Sequence, residues 1–118
     1  MRVITGTARG VSLSAPAGLQ TRPTTDRVKE NLFNIIQFDI PGAQVLDLFA
    51  GSGQLGIEAL SRGAGEAVFV DQGKEAVAVI RKNLAAAKLQ SQAQVVQADA
   101  FSYLGSCRRK FDLIFLDP

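Results

Sequence analysis

The stretch Val45 to Gly56, VLDLFAGSGQLG, constrains this chain more than any other. Val45, Leu46 and Leu48 read as a buried strand, Gly51 and Gly53 as a turn, and a helix opens at about Gln54. Glycines in such a turn let the backbone approach a ligand. The helix behind them turns free N–H groups and the positive end of its dipole toward it. Together these describe a nucleotide or nucleoside site at the end of the first strand of an open α/β sheet.

Gly51-x-Gly53-x-x-Gly56 also fits the dinucleotide fingerprint, so the glycines leave the ligand open. Asp47, near the carboxyl end of the strand, narrows the choice. A carboxylate aimed into a loop that receives a pyrophosphate would repel it, whereas an ammonium there would be held by a charge-assisted hydrogen bond. S-adenosylmethionine carries an ammonium and a sulfonium, and NAD carries two phosphates, so Asp47 favours S-adenosylmethionine. The plainer alternative is that Asp47 only caps the loop. Gln54 stands where a small residue is expected, with its side chain turned to solvent.

The 118 residues, 47% hydrophobic and 20% charged, suit one compact domain with one core. No apolar run approaches a membrane span and the opening MRVITGTARG lacks a signal-peptide segment, so the cytoplasm is the expected location. The chain has no histidine and one cysteine, Cys107. That excludes the usual zinc sites, an internal disulfide and histidine-based acid–base schemes, and no metal is expected. Arg2, Arg9, Arg22, Arg27 and Lys29 face only Asp26 and Glu30 in the first thirty residues, a hint of nucleic acid or simply a solvated surface.

In chain order, Val3-Ile4 and Val11-Ser12-Leu13 suggest a β-hairpin or extended arm with arginines at its turn. Thr25 or Asp26 caps a helix whose face is Val28, Leu32, Ile35 and Ile36, and Pro41-Gly42 ends it. Residues 1–40 thus form a basic arm with a first helix, and 41–118 form the main unit. There the pattern predicts strands at Val45–Leu48, Ala67–Val70, Val95–Val96 and Phe111–Leu116. Helices fall between them at 54–62, 74–89 and 100–107, the third strand running on into Asp99-Ala100. Strand and helix alternate, which means a parallel sheet with right-handed crossovers. Asp71, ending the second strand, sits where a carboxylate accepts from ribose hydroxyls, unless it only caps the next helix. Asp99 after the third strand can reach an adenine amine. The cluster Arg108-Arg109-Lys110 reads as helix-end charges or an RNA contact.

With these residues in hand, the chain resembles the RsmD-type 16S ribosomal RNA guanine-N2 methyltransferases along its whole length. The resemblance is carried by MRVITGTARG, by Thr21-Arg22-Pro23-Thr24-Thr25-Asp26-Arg27-Val28-Lys29-Glu30 with Leu32-Phe33-Asn34, and by DLFAGSGQLG with Glu58-Ala59-Leu60-Ser61-Arg62-Gly63-Ala64. The closing Leu116-Asp117-Pro118 completes it. It implies a Rossmann-like class I methyltransferase fold, here its N-terminal half, with four parallel strands and their helices behind a small β-hairpin arm. It also implies S-adenosylmethionine as cofactor, with Asp47, Phe49, Ala50, Gly51 and Gly53 at the methionine end, Asp71 and Gln72 at the ribose, and Asp99 and Ala100 at the adenine. Asp117 and Pro118 would open the family's catalytic Asp-Pro-Pro-Tyr or Asn-Pro-Pro-Tyr motif. There a carboxylate and a backbone carbonyl accept from the exocyclic amine and aim its lone pair at the methyl group. Arg2, Arg9, Arg22, Thr24 and Arg27 are the candidates for contacts to 16S ribosomal RNA or a small-subunit assembly.

The sequence stops before the second proline and the aromatic residue of that motif. The expectation is therefore an inactive half-enzyme that self-associates through an uncovered sheet edge. Rival readings are a DNA adenine-N6 or cytosine-N4 methyltransferase, which meets the same chemical problem with the same motif, and a non-catalytic cofactor-binding fragment. An NAD-dependent oxidoreductase is disfavoured by Asp47 and by the lack of an assignable hydride-transfer constellation.

Overall fold

A computed structural model describes residues 1–16 and 25–117. Arg22, Thr24 and Pro118 lie outside the described residues. The elements are α1 (Asp26–Ile36), a 3-10 turn (Gln37–Asp39), β1 (Gln44–Leu48), α2 (Gln54–Ser61), β2 (Glu66–Asp71), α3 (Lys74–Ala87), a second 3-10 turn (Gln90–Gln92), β3 (Ala93–Gln97), α4 (Ala100–Ser106) and β4 (Leu113–Leu116). All strand pairs are parallel, in the order β3-β2-β1-β4. The chain first winds outward from β1 to β2 and β3, then crosses back to the other side of β1. The strand order therefore reverses beside β1, the point where an open α/β sheet leaves a crevice for a ligand.

Alternation along the strands separates two cores. Val45, Ala67, Phe69 and Phe115 face α2 and α3, while Leu46, Leu48, Val68 and Val70 face the opposite side with Ala100. Gly56 sets the spacing on the first face. A β-carbon there would lie 2.4 Å from the Phe69 ring, so only glycine lets α2 approach β2 this closely.

The first helix differs from the expected pattern. Thr25 caps it, accepting from the Val28 amide at 3.2 Å. Its fully buried positions, however, are Lys29 and Phe33; of the expected face, Leu32 and Ile36 pack partly buried on the first core, while Val28 and Ile35 are 56% and 79% exposed. Periodicity counts only apolar residues and so passed over a buried lysine. Phe33 packs on Phe115 with ring centroids 5.6 Å apart, and the Arg62 guanidinium lies 5.0 Å from its ring.

The arm is a short antiparallel hairpin docked on α2, its limbs joined by the Val3 amide to Val11 O at 2.9 Å, the Gly10 amide to Val3 O at 2.8 Å and the Leu13 amide to Met1 O at 2.8 Å. Arg2 and Ser12 form its antiparallel bridge, and Val3, Ala8 and Leu13 are buried in the first core. Its backbone finds partners on the helix. The Ile4 and Thr5 amides donate to the Glu58 carboxylate at 2.9 and 3.0 Å, the Thr7 amide to the Ser61 carbonyl at 2.8 Å, and the Ala8 amide to Ser61 Oγ at 2.9 Å. Among the described residues no helix is long and apolar enough to cross a membrane, and no cluster of three or more His, Cys, Asp or Glu side chains could hold a metal ion.

Candidate cofactor and amine site

The crevice is floored by the loop from Phe49 to Gly53. Phe49 turns the chain out of β1 with φ 55°, in the left-handed region that a bulky L residue rarely adopts. The turn lets the Ala50 amide donate to Val70 O at 3.0 Å and brings the Gly53 amide to Ala50 O at 2.8 Å. Gly51 and Gly53 follow at φ 61° and 80°. The strain at Phe49 is a backbone property, and its residue type gave no signal of it.

Asp47 is 2% exposed, on the face under α2, and its Oδ2 accepts from the Gly56 amide at 3.0 Å. Gly53, the cap of α2, has no side chain to satisfy that first turn, so the strand carboxyl does it. The capping alternative is therefore a real part of what Asp47 does. Burial pushes its carboxyl up from the usual 3.8 to about 8; the Gly56 amide opposes the shift, and the charges of Asp117 and Asp71 add to it. With no ligand charge opposite, Asp47 holds a proton near neutral pH.

Asp71 ends β2 with both oxygens engaged. Oδ2 accepts from the Gly51 amide and Oδ1 from the Gly73 amide, each at 2.9 Å. It ties the glycine loop to the start of α3, and each oxygen keeps a lone pair for a hydroxyl. The Asp71 carbonyl accepts from the Ala98 amide at 3.1 Å, which brings the end of β3 beside it. Asp99, exposed, caps α4 by accepting from the Ser102 amide at 3.0 Å, and Ala100 is buried behind it. Gln72 is exposed and its carbonyl accepts from Gln97 at 3.4 Å. Asp117 follows Leu116, which is in register with Leu48, so it leaves the carboxyl end of β4 next to the point where Phe49 turns the chain out of β1. Asp47, Asp71, Asp99 and Asp117 thus gather at the carboxyl ends of the four strands, where hydrogen-bond donors and cations are favoured and phosphates are not.

Gln54 departs from expectation. It is 7% exposed rather than turned to solvent, and its Oε1 is buried without a partner. A buried acceptor left unmade costs about 1–3 kcal/mol, which a donor-bearing ligand would recover. This orphan, with the carboxylate set around it, fits a group rich in donors such as the ammonium and ribose of S-adenosylmethionine.

The proposed nucleic-acid residues separate. Met1 Sδ lies 3.7 Å from Ser52 Oγ at the glycine loop, whereas Thr7 and Ala8 meet Ser61 at the far end of α2. Arg2, paired with Asp26 at 3.3 Å, and the neighbouring Arg27 therefore lie toward the crevice end, and exposed Arg9 toward the other. A cavity of about 640 Å³ lined by Thr5, Thr7, Gln37, Ser61 and Arg62 also lies at that far end, away from the carboxylates. In the basic cluster, Arg109 is structural: it bonds Glu66, donates to Gln44 Oε1 at 2.7 Å and stacks on Phe111.

Sequence reading missed a buried ionic hub. Lys29 and Glu58 are both fully buried, with Lys29 Nζ 3.5 Å from Glu58 Oε1 and donating to Arg2 O at 2.7 Å. Arg62 reaches Glu58 Oε2 at 2.8 Å. Burial lowers the Lys29 pKa, and Glu58 opposes that shift. The Glu58–Arg62 spacing of four was the only visible sign. The TRPTTDRVKE and EALSRGA segments, which carried the resemblance, thus supply the clamp that joins the arm, α1 and α2.

A four-stranded parallel sheet with a glycine turn at its switch point and acidic residues ending its strands defines the Rossmann-like class I methyltransferase fold. Within that class, the sequence profile described as Conserved hypothetical protein 95 matches residues 1–118, and the chain belongs to this family. Over its full length it is 50% identical to the "Putative rRNA methyltransferase YlbH" of Bacillus subtilis, covering 66% of that protein. It is 43% identical to the "Ribosomal RNA small subunit methyltransferase D" of Escherichia coli K12, covering 59%. The solved "Putative methyltransferase yhhF from Escherichia coli" superposes with a TM-score of 0.90 at 45% identity, over all of this chain and 64% of that one. The chain thus spans about three-fifths to two-thirds of the length of these relatives.

Proposed function

We propose that these residues form the cofactor-binding part of an S-adenosylmethionine-dependent methyltransferase that acts in the cytoplasm on the exocyclic N2 amine of a guanine in 16S ribosomal RNA. The observation that carries this reading is the acidic set around the glycine loop, which suits an ammonium, a ribose and an amine and repels a pyrophosphate. The relatives' names supply the RNA. The cofactor, when bound, supplies an electrophilic methyl group on sulfur.

The chain's own residues do the rest. The glycine loop and Gln54 receive the methionine end, and Asp47 yields its proton as an ammonium arrives. Asp71 and Gln72 take the ribose side, and Asp99 with Ala100 the adenine side. Asp117, with Pro118 after it, accepts from the exocyclic amine at the carboxyl end of β4. Accepting its hydrogens withdraws the nitrogen lone pair from the ring and turns it outward, which makes a poor nucleophile competent. Arg2 and Arg27 hold phosphates near the crevice. Arg9, about 12 Å along α2 at 1.5 Å per residue, would follow only a strand that runs down the arm. Arg22 and Thr24 complete the set. The β4 edge, with Ile114 and Leu116 exposed, is the surface through which copies of this chain would associate.

Calorimetric titration with S-adenosylmethionine, with Asp71→Asn as control, tests the cofactor. Binding that the control weakens supports it, and tight NAD binding with no S-adenosylmethionine binding would overturn it. Transfer of labelled methyl groups to naked 16S ribosomal RNA and to small subunits, followed by nucleoside analysis for N2-methylguanosine, tests the substrate. N6-methyladenine or N4-methylcytosine on DNA would favour the rival.

A further inference from the structure

Asn83 is 1% exposed on the core face of α3, between Ile80 and Leu84. An apolar side chain would pack there without the cost of burying an amide. Yet among the described residues its side-chain hydrogen bonds leave the helix. Oδ1 accepts from the Ser14 amide at 2.8 Å, and Nδ2 donates to Ser14 O and to Ser52 O, both at 2.9 Å. Both donors of one planar amide are thereby spent on two segments far apart in sequence, the end of the arm and the glycine loop.

Ser52 O belongs to the peptide that enters Gly53, whose amide closes the loop on Ala50 O at 2.8 Å. A β-carbon on Gly53 would lie 3.3 Å from Ile80, so the same face of α3 shoulders the loop sterically. On the arm side, Ser14 follows Leu13, whose amide donates to Met1 O at 2.8 Å, and Met1 touches Ser52 from the other limb. A displacement of the Ser14 limb is therefore transmitted to the Ser52–Gly53 peptide through Asn83, and the Met1 limb meets Ser52 directly.

We infer that Asn83 is a positioning residue that couples the N-terminal arm to the glycine loop, so that the placement of the arm sets the loop's affinity for its ligand. This rests on the S-adenosylmethionine reading for the identity of the ligand, and on the hydrogen bonds alone for the coupling. The arm carries Arg2, so a polyanion held there would reach the loop by this route.

The test compares the chain with Asn83→Ala, which removes all three bonds, Asn83→Asp, which keeps the acceptor and loses both donors, and Ala87→Gly, which loosens the same helix one turn on. Affinity for S-adenosylhomocysteine is measured well below the lowest unfolding midpoint, and amide exchange is followed without ligand. Both Asn83 variants should weaken binding about tenfold, roughly one lost hydrogen-bond energy, and speed exchange at the Gly53 amide; Asn83→Ala should speed the Ser14 amide with it, whereas Asn83→Asp keeps that amide bonded. Ala87→Gly should leave affinity within about twofold at a similar loss of midpoint. Equal weakening by Ala87→Gly, or unchanged affinity in Asn83→Ala, would overturn the inference. If the unaltered chain binds no S-adenosylhomocysteine, the cofactor reading fails, and exchange alone then decides. Unchanged Gly53 exchange in Asn83→Ala overturns the coupling, and joint acceleration upholds it.

Discussion

Asp47→Asn isolates the most unusual ionisation in the fold. The carboxyl sits at about 8 when folded and near 3.8 in an unfolded chain, with burial as the main cause. The folded state therefore holds one more proton than the unfolded state throughout that interval. Stability is greatest below the unfolded value, falls as pH rises from about 4 to about 8, and is flat beyond. One proton corresponds to about 1.4 kcal/mol per pH unit. That slope depends only on the folded value lying above the range scanned, not on its exact position. Between pH 5 and pH 7 the Asp47 protein should lose roughly 2–3 kcal/mol relative to Asp47→Asn. Asparagine keeps the shape and an acceptor for the Gly56 amide, and other carboxylates titrate in both proteins, so the difference reports Asp47.

Urea unfolding at half-unit steps from pH 5 to about pH 9.5 measures this. The two stability curves should diverge steadily and run parallel above about pH 8. Parallel curves from pH 5 onward would mean that Asp47 is ionised in the folded state and would refute the argument. The same proton links to the ligand: an ammonium beside Asp47 must expel it. S-adenosylmethionine affinity should then rise with pH up to about 8, by at most about tenfold per unit, and be nearly flat in Asp47→Asn.

Three further perturbations follow from single contacts. Gly56→Ala gains about 1 kcal/mol of helix propensity but drives a methyl to 2.4 Å from Phe69. A net loss of about 1–3 kcal/mol in denaturant unfolding is expected, and Phe69→Leu in the same chain should return part of it. Glu58→Gln strands a fully buried Lys29 and should cost about 3–5 kcal/mol; Lys29→Met should cost less, because Glu58 keeps Arg62 and two amide donors. An equal cost for the two would show that Lys29 is not held as a cation. Replacing Arg2 and Arg27 together should weaken RNA binding and reduce the salt slope by about 2, where Arg9→Ala alone should change it by 1 or less; a larger effect of Arg9 would place the RNA at the far end of α2.

What could be read in the sequence and what could not divide along a physical line. Each strand and helix of the main unit was visible, because hydrophobic period and glycine punctuation are local properties. The ends of β1, α2 and α3 fell within two residues of the patterns. Asp47 and Asp71 stood out for the same reason, being acidic residues at the ends of apolar runs. Everything missed depends on a partner remote in sequence. Lys29 is buried against Glu58, so α1 turns Lys29 and Phe33 inward beside Leu32 and Ile36, where its apolar residues alone would also choose Val28 and Ile35. Asn83 is, by sequence, one more polar residue on an amphipathic helix, and only the fold brings Ser14 and Ser52 to its amide. Phe49 is strained because β1, β2 and the loop fix both of its ends. The two segments that most specifically carried the family resemblance, TRPTTDRVKE and EALSRGA, contribute this buried clamp among the described residues. Their specificity therefore reports how the arm is seated beside the crevice as much as what the crevice binds, and a substrate that moves the arm must work against Glu58 and Asn83 at once.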